Sequence, residues 1–573
     1  MTRPLPSLAK FFERLVAEGE AAAFCLPGGA TLFEPGESST CLYFLRTGRL
    51  TARIGDFHSR LVTIHPGETV GEMAVIAGAA HSARVFALRD SELISAPRAV
   101  FFDRLRNDPD LLVELSRLVL ARSRETVRDD PPIARRVFAV IALTPRVDAR
   151  ALAESIGEAL RRLGHSAATF GAGEGSPTPD WFTRIESRHD FVLYAVAHDE
   201  PNWRALVARQ VDGAFLVANG TDRLEDQPAA SAAAPWSAPG DLILIQEPSL
   251  SAPRGAADWV AALSPERLFH IRAGGRGDID RLARVLAGRA VGLVLSGGAA
   301  RAYAHVGAVQ VLREAHVPVD FLGGVSMGAI VGAGIGMGWD DAEMDDRIRK
   351  AFVASSPIND FTFPIVSIAR GETVRERLEE NFGDRTICDL WLPFFCVSTN
   401  LTTGAQQIHR QGLLREALRA SLSVPGVLPP VIDGQDVLVD GAVLNNFPAD
   451  IMRCLHNGPI IGVDVGRGRG IDAAEIVGPA STFQWLSSGA WRDGAPIVSL
   501  LVRAATVTAQ HQMAAAHEVT DVLIQPKLDE VEIADWRAYE PAVAAGRRAT
   551  LDALDALDRP VTDLRHAEVP HSY

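Results

Sequence analysis

Residues 291–339 read VGLVLSGGAARAYAHVGAVQVLREAHVPVDFLGGVSMGAIVGAGIGMGW, and the fold turns on how they are read. The apolar run Val291–Leu295 predicts a buried strand. A turn of small residues, Ser296-Gly297-Gly298-Ala299-Ala300-Arg301, opens onto a helical pattern. A second strand, Val319–Leu322, runs into Gly324-Val325-Ser326-Met327-Gly328, a GxSxG elbow between strand and helix. A serine nucleophile must stand clear of its sheet on a tight bend. Gly324 and Gly328 leave room where the strand folds back against the helix, whose dipole points at the serine. The turn at 297–300 offers backbone N–H groups to a developing oxyanion. The chain is glycine-rich, 49 of 573 residues, so GxSxG alone is a weak signal. The strands around it and the turn before it carry the weight.

Working outward, Val437-Leu438-Val439 ends in Asp440-Gly441-Ala442. SGGAAR, GVSMG and DGA together resemble the patatin-like phospholipases over about residues 289–465. The likeness extends to Ser423-Val424-Pro425-Gly426, Pro429-Pro430 and Asn445-Asn446-Phe447-Pro448. It implies a serine–aspartate dyad without histidine: Ser326 as nucleophile, Asp440 as base, and an oxyanion hole at Gly297, Gly298, Ala299 and Arg301. The family turn reads Gly-Gly-Gly-x-Arg/Lys-Gly, whereas Ala299 and Ala302 stand at two glycine positions here. Alanine is strained wherever φ must be positive. Reduced or shifted activity is therefore one expectation. Arg301 is expected to hold the turn, with a phosphate headgroup as the other reading.

Composition sets bounds. A formal net charge of −14 argues against nucleic acid and against an unaided hold on anionic lipid. The five cysteines are scattered, without a CxxC pair, which fits free thiols in a reducing compartment. No metal or cofactor is expected. No signal peptide or membrane-spanning run is visible, so the expectation is a cytoplasmic protein meeting a lipid substrate at the membrane surface from outside. Oligomeric state is left open.

Upstream, residues 7–19 place Leu8, Phe11, Phe12 and Leu15 on one helical face, predicted to pack on the next domain. Short alternating runs over 22–97 predict an all-β roll, with a turn at 46–49 and a helix over 98–126. This block resembles a cyclic nucleotide-binding domain, with Gly71, Glu72, His81 and Ser82 at the pocket positions. The resemblance implies cAMP or cGMP as ligand. The family's phosphate-pairing Pro-Arg, however, is Ala80-His81 here, and imidazole lacks the guanidinium fork. A domain kept for structure or interaction is the alternative.

Asp129–Pro132 reads as a linker and 225–240 as a low-complexity loop. Strands at 137–143, 191–197, 214–218 and 242–245 alternate with helices, predicting a mainly parallel α/β segment without a nucleotide loop. This order of domains resembles bacterial relatives of neuropathy target esterase, without the extra modules and anchor of eukaryotic members. The expected fold is multidomain: an N-terminal β-roll (1–128), an α/β Rossmann-like middle (133–288), a patatin-like α/β hydrolase (289–480) and a helical extension (481–573). Residues 340–395 are expected to be helical, with Phe361-Thr362-Phe363-Pro364-Ile365 as an acyl-chain wall or plain core. His305 and His517 are expected in packing or surface roles. A Ser–Asp–His triad using His456 or His511, and a catalytically weak regulatory protein, stay open as alternatives.

Overall fold

A computed structural model describes residues 6–54, 60–64, 66–106, 136–175, 179–186, 188–223, 240–354, 360–363, 365–466 and 513–564. The chain divides into two compact units, Met1–Ile245 with Asp258–Arg267, and Gln246–Ala257 with Leu268–Tyr573. The remainder of the predicted 98–126 helix beyond Arg106, the 129–132 linker, most of the 225–240 loop and His511 lie outside the described residues.

In the first unit, helix Pro6–Ala17 buries Leu8, Phe11, Phe12 and Leu15, as its spacing predicts. Phe12 stacks on Phe44 with centroids 5.0 Å apart, and Phe101 of helix Arg98–Leu105 closes the same cluster. Strands Cys41–Ile54 and Arg84–Pro97, 14 residues each, pair antiparallel as the spine of the roll. The turn expected at 46–49 is instead a bulge within one bent strand. The register slips there, and Gly48 at φ 95° has no Cβ to strike Ser91 Cα, which would lie at 2.5 Å.

The same unit holds a parallel sheet. Strands Gly240–Gln246, Gly213–Asn219, Val137–Ala142, Phe191–Val196 and Ala167–Phe170 neighbour one another in that order. Every residue of Val137–Ala142 and Phe191–Val196 is buried, which is why these strands read as unbroken apolar runs. Asp148 caps helix Ala149–Arg162 by accepting from Ala151 N at 2.9 Å. Roll and sheet meet through buried ion pairs, Arg49 with Asp212 and Arg89 with Glu186 at 2.7 Å.

The second unit is built on an eight-stranded sheet ordered Val431–Asp433, Asp436–Asp440, Phe394–Asn400, Phe321–Val325, Gly292–Leu295, Ile460–Val463 and Val522–Ile524, with Ala405–His409 paired onto Phe394–Asn400. The run from Phe394–Asn400 through Val522–Ile524 is parallel, so each strand delivers its following loop to one edge. The 481–573 segment, expected as a helical extension, supplies a strand of this sheet. It also supplies helix Tyr539–Asp555, packed on helix Ala304–Glu314. Residues 340–395, expected as helical, contain helices Asp341–Ile348 and Glu372–Phe382, but between them residues 360–363 and 365–371 are non-helical. Among these Phe361, Phe363 and Ile365 are exposed, so they are not part of the core.

Candidate active site

The elbow forms because two glycines allow it. A Cβ on Gly328 would lie 2.4 Å from Leu295 O, and one on Gly324 would lie 2.8 Å from Ala329 N. Between strand Phe321–Val325 and helix Met327–Met337, Ser326 adopts φ 54°, ψ −130°. Side chains avoid this region unless the surroundings enforce it, at about 1–3 kcal/mol. Here the Ser326 amide donates to Ser421 Oγ at 2.9 Å, and that hydroxyl donates to Val397 O at 2.7 Å. Ser421 is a positioning residue that the sequence reading did not single out. Its neighbour Ser423 opened a quoted motif, and that was the available signal.

Asp440 ends its strand opposite Ser398, and its amide donates to Ser423 O at 2.9 Å. Gly441 lets the chain turn away, since a Cβ there would lie 2.3 Å from Val397 O. The carboxylate accepts from Ala442 N at 2.8 Å, and the Ser326 side chain lies close enough to lower its pKa slightly. Asp440 is 2% exposed. Burial pushes its pKa up from 3.8 to about 6, against the smaller opposing pull of those two groups. Ser326 and Asp440 are both buried, the first held through its amide by Ser421 Oγ and the second by Ala442 N and Ser423 O.

The Gly-rich turn lies opposite. Gly297 N donates to Asn446 O at 3.3 Å and Asn446 Nδ2 donates back to Gly297 O at 3.2 Å, so this amide is engaged. The missing Cβ of Gly297 matters: it would stand 2.5 Å from Asn446 Oδ1 and 3.1 Å from Ser326 Cβ. Among the described residues, the amides of Gly298 and Ala299 donate to no acceptor. Ala299 sits at φ 47°, so one of the two alanines occupies a position that favours glycine; Ala302 does not. Arg301 is buried, and its Nε donates to Val465 O at 3.0 Å, which ties the turn to the neighbouring strand end.

His456, His305 and His517 have other partners. His456 stacks on Phe321, at the start of the strand that ends at the elbow, about 16 Å of extended chain from Ser326. Its Nδ1 accepts from Gly458 N at 3.0 Å. His305 is fully buried, bonded through Nε2 to Ser296 O at 2.8 Å, and burial lowers its pKa to about 4. His517 pairs with Asp464 at 3.0 Å. Among the described residues, no group of three or more His, Cys, Asp or Glu stands together as a metal site.

In the roll, Gly71 at φ 83° caps the short helix that begins at Glu72, which is 2% exposed. His81 is buried flat against Phe33, with centroids 3.7 Å apart and planes 11° apart, while Ser82 is exposed. Its ring crowds Gly71, where a Cβ would lie 3.2 Å from His81 Cε1. Arg84 pairs with Glu34 at 3.1 Å and Thr31 at 2.9 Å.

The patatin-like phospholipase family profile matches residues 293–453, and the cyclic nucleotide-binding domain profile matches residues 24–108. An uncharacterized NTE family protein of Mycobacterium tuberculosis is 31% identical over 548 residues, covering 93% of this chain and 91% of that protein. Patatin-like phospholipase domain-containing protein 6 of Mus musculus is 28% identical over 510 residues, covering 76% of this chain and 37% of that protein. A lysophospholipase of Yarrowia lipolytica is 25% identical over 572 residues, covering 80% of this chain and 40% of its own.

Proposed function

The chain belongs to the NTE family, and from that premise we propose that it hydrolyses fatty-acyl esters of glycerophospholipids or lysophospholipids, with Ser326 as nucleophile and Asp440 as base. It is a carboxylic ester hydrolase of the patatin type. What supports the residue assignment is that the buried Asp440 carboxyl lies beside Ser326, in a site that raises it to about 6. A carboxylate at its ordinary value is a weak base toward a hydroxyl. One raised toward neutrality, and ionised at pH 7, can take the proton as attack proceeds.

In this reading Ser326 Oγ attacks the ester carbonyl while its proton passes to Asp440. The amides of Gly298 and Ala299 receive the oxyanion. The tetrahedral intermediate collapses, the C–O bond breaks, and Asp440 gives its proton to the departing alcohol. Water, deprotonated by Asp440, then attacks the acyl-serine and releases the fatty acid, and the proton returns to Ser326. We read the N-terminal roll as a modulator of this activity. The His81–Phe33 stack and the engaged Arg84 favour a role that does not depend on cyclic phosphate.

Ser326→Ala is the test. The variant should fold, fail to label with a fluorophosphonate probe and release no fatty acid from lysophosphatidylcholine. Turnover retained in that variant would overturn the assignment.

A further inference from the structure

The non-helical residues 360–363 and 365–371 present four apolar side chains to solvent. Phe361, Phe363, Ile365 and Val366 are 51%, 82%, 83% and 63% exposed. They do not hang on a slack chain. Thr362 N donates to Ile368 O, Ile368 N to Gly426 O and Ala369 N to Val427 O, at 2.9–3.1 Å. Gly426 and Val427 belong to the loop that starts at Ser423, whose carbonyl takes the Asp440 amide. The segment is therefore fastened to the loop that holds the base.

Two further exposed apolar residues extend past the same sheet edge. Val325 pairs with Val397, so Leu401, 54% exposed, lies four residues beyond the level of the elbow, about 13 Å along the strand direction. Ile432, 64% exposed, pairs with Val437 in the hairpin beside it. Monomeric proteins rarely leave an apolar patch of this kind at a functional edge without a partner.

We propose that this rim docks the domain on a zwitterionic phospholipid bilayer, so that lipid reaches Ser326 and Asp440 from the membrane plane. The inference rests on the lipid hydrolase reading above and names the surface that site faces. Charge selects the bilayer type. Residues 361–369, FTFPIVSIA, carry no charge, and the chain as a whole carries −14. Attachment by such a rim is apolar insertion, insensitive to salt, and an anionic surface would oppose it.

The experiment measures partition of the full chain, carrying Ser326→Ala to prevent hydrolysis, onto sedimenting phosphatidylcholine vesicles at 50 mM and 1 M NaCl. The expected result is binding at both salts, lowered at least ~30-fold by Phe361→Ser/Phe363→Ser/Ile365→Ser. With Ser326 restored, the triple variant should keep its rate on a soluble short-chain ester and lose its rate on vesicle-borne lipid. Unchanged partition, or release by 1 M salt, overturns the proposal. So does a parallel fall on the soluble ester, which would make the segment part of an acyl pocket. A wild-type dimer that the triple variant dissolves also overturns it, since a second copy would then cover the rim. Failure of the Ser326 assignment shows separately, as turnover in Ser326→Ala, and leaves the vesicle measurement readable.

Discussion

Replacing Asp440 by Asn should abolish turnover and stabilise the protein at neutral pH, by an amount that depends on pH in a defined direction. The carboxyl rises from 3.8 to about 6 on burial, at about 1.36 kcal/mol per pH unit. Below about pH 4 the folded and open chains are both protonated at this site, and the site costs nothing. As pH rises, the open chain ionises first, and the folded chain must hold either an extra proton or a buried charge. Stability is lost between roughly pH 4 and pH 6, reaching about 3 kcal/mol above that window. An asparagine carries no such charge, while its Oδ1 can still accept from Ala442 N. Asp440→Asn should therefore match wild type near pH 4 and exceed it by up to about 3 kcal/mol at pH 8. Urea unfolding followed by tryptophan fluorescence at both pH values measures this. A gain that is equal at the two pH values, or a loss at pH 8, would refute the idea that the base is held against its own desolvation.

The same carboxyl sets the pH–rate profile: kcat/KM should fall about tenfold per pH unit below 6, level off above it, and keep that shape in His517→Gln. Gly297→Ala should push a methyl group into Asn446 Oδ1 and against Ser326 Cβ, lowering kcat by about 10²–10³ if the oxyanion amides move with the turn; unchanged kcat would show that the turn is slack. Millimolar cAMP or cGMP should leave the melting temperature of the roll unmoved, because His81 and Phe33 stack in its pocket and Arg84 is already paired; a shift of several degrees would restore the sensor reading.

What the sequence makes legible is the local structure confined to short motifs. The elbow, the DGA strand end and the Gly-rich turn need particular small residues at fixed spacing, so their meaning survives without coordinates. The apolar strands of the first unit's parallel sheet and of the parallel run in the second unit's sheet are equally plain, because burial on two faces leaves no polar interruption. Less legible was whatever depends on partners far along the chain. Nothing in Ser421 announces that its hydroxyl would hold the Ser326 amide, and nothing in 522–524 marks it as a strand of the second unit's sheet. The segment around Phe363 was read as wall or core because its composition is apolar. Only the exposure of its side chains in the folded chain shows that it faces outward. The bent strand 41–54 was split at Gly48, since a bulge and a hairpin turn use the same residue there.

The last long helix reaches back to the first part of the site. Gly307 and Gly546 bring helices Ala304–Glu314 and Tyr539–Asp555 so close that a methyl group on Gly546 would lie 1.9 Å from Ala304 O. Helix Ala304–Glu314 begins directly after the Gly-rich turn. A ribosome making this chain thus exposes the elbow serine more than two hundred residues before the brace for the opposite turn has been synthesised. The turn facing the elbow gains this brace only once Tyr539–Asp555 has been made, and a premature stop between Asp440 and Tyr539 would leave Ser326 and Asp440 on a chain without it.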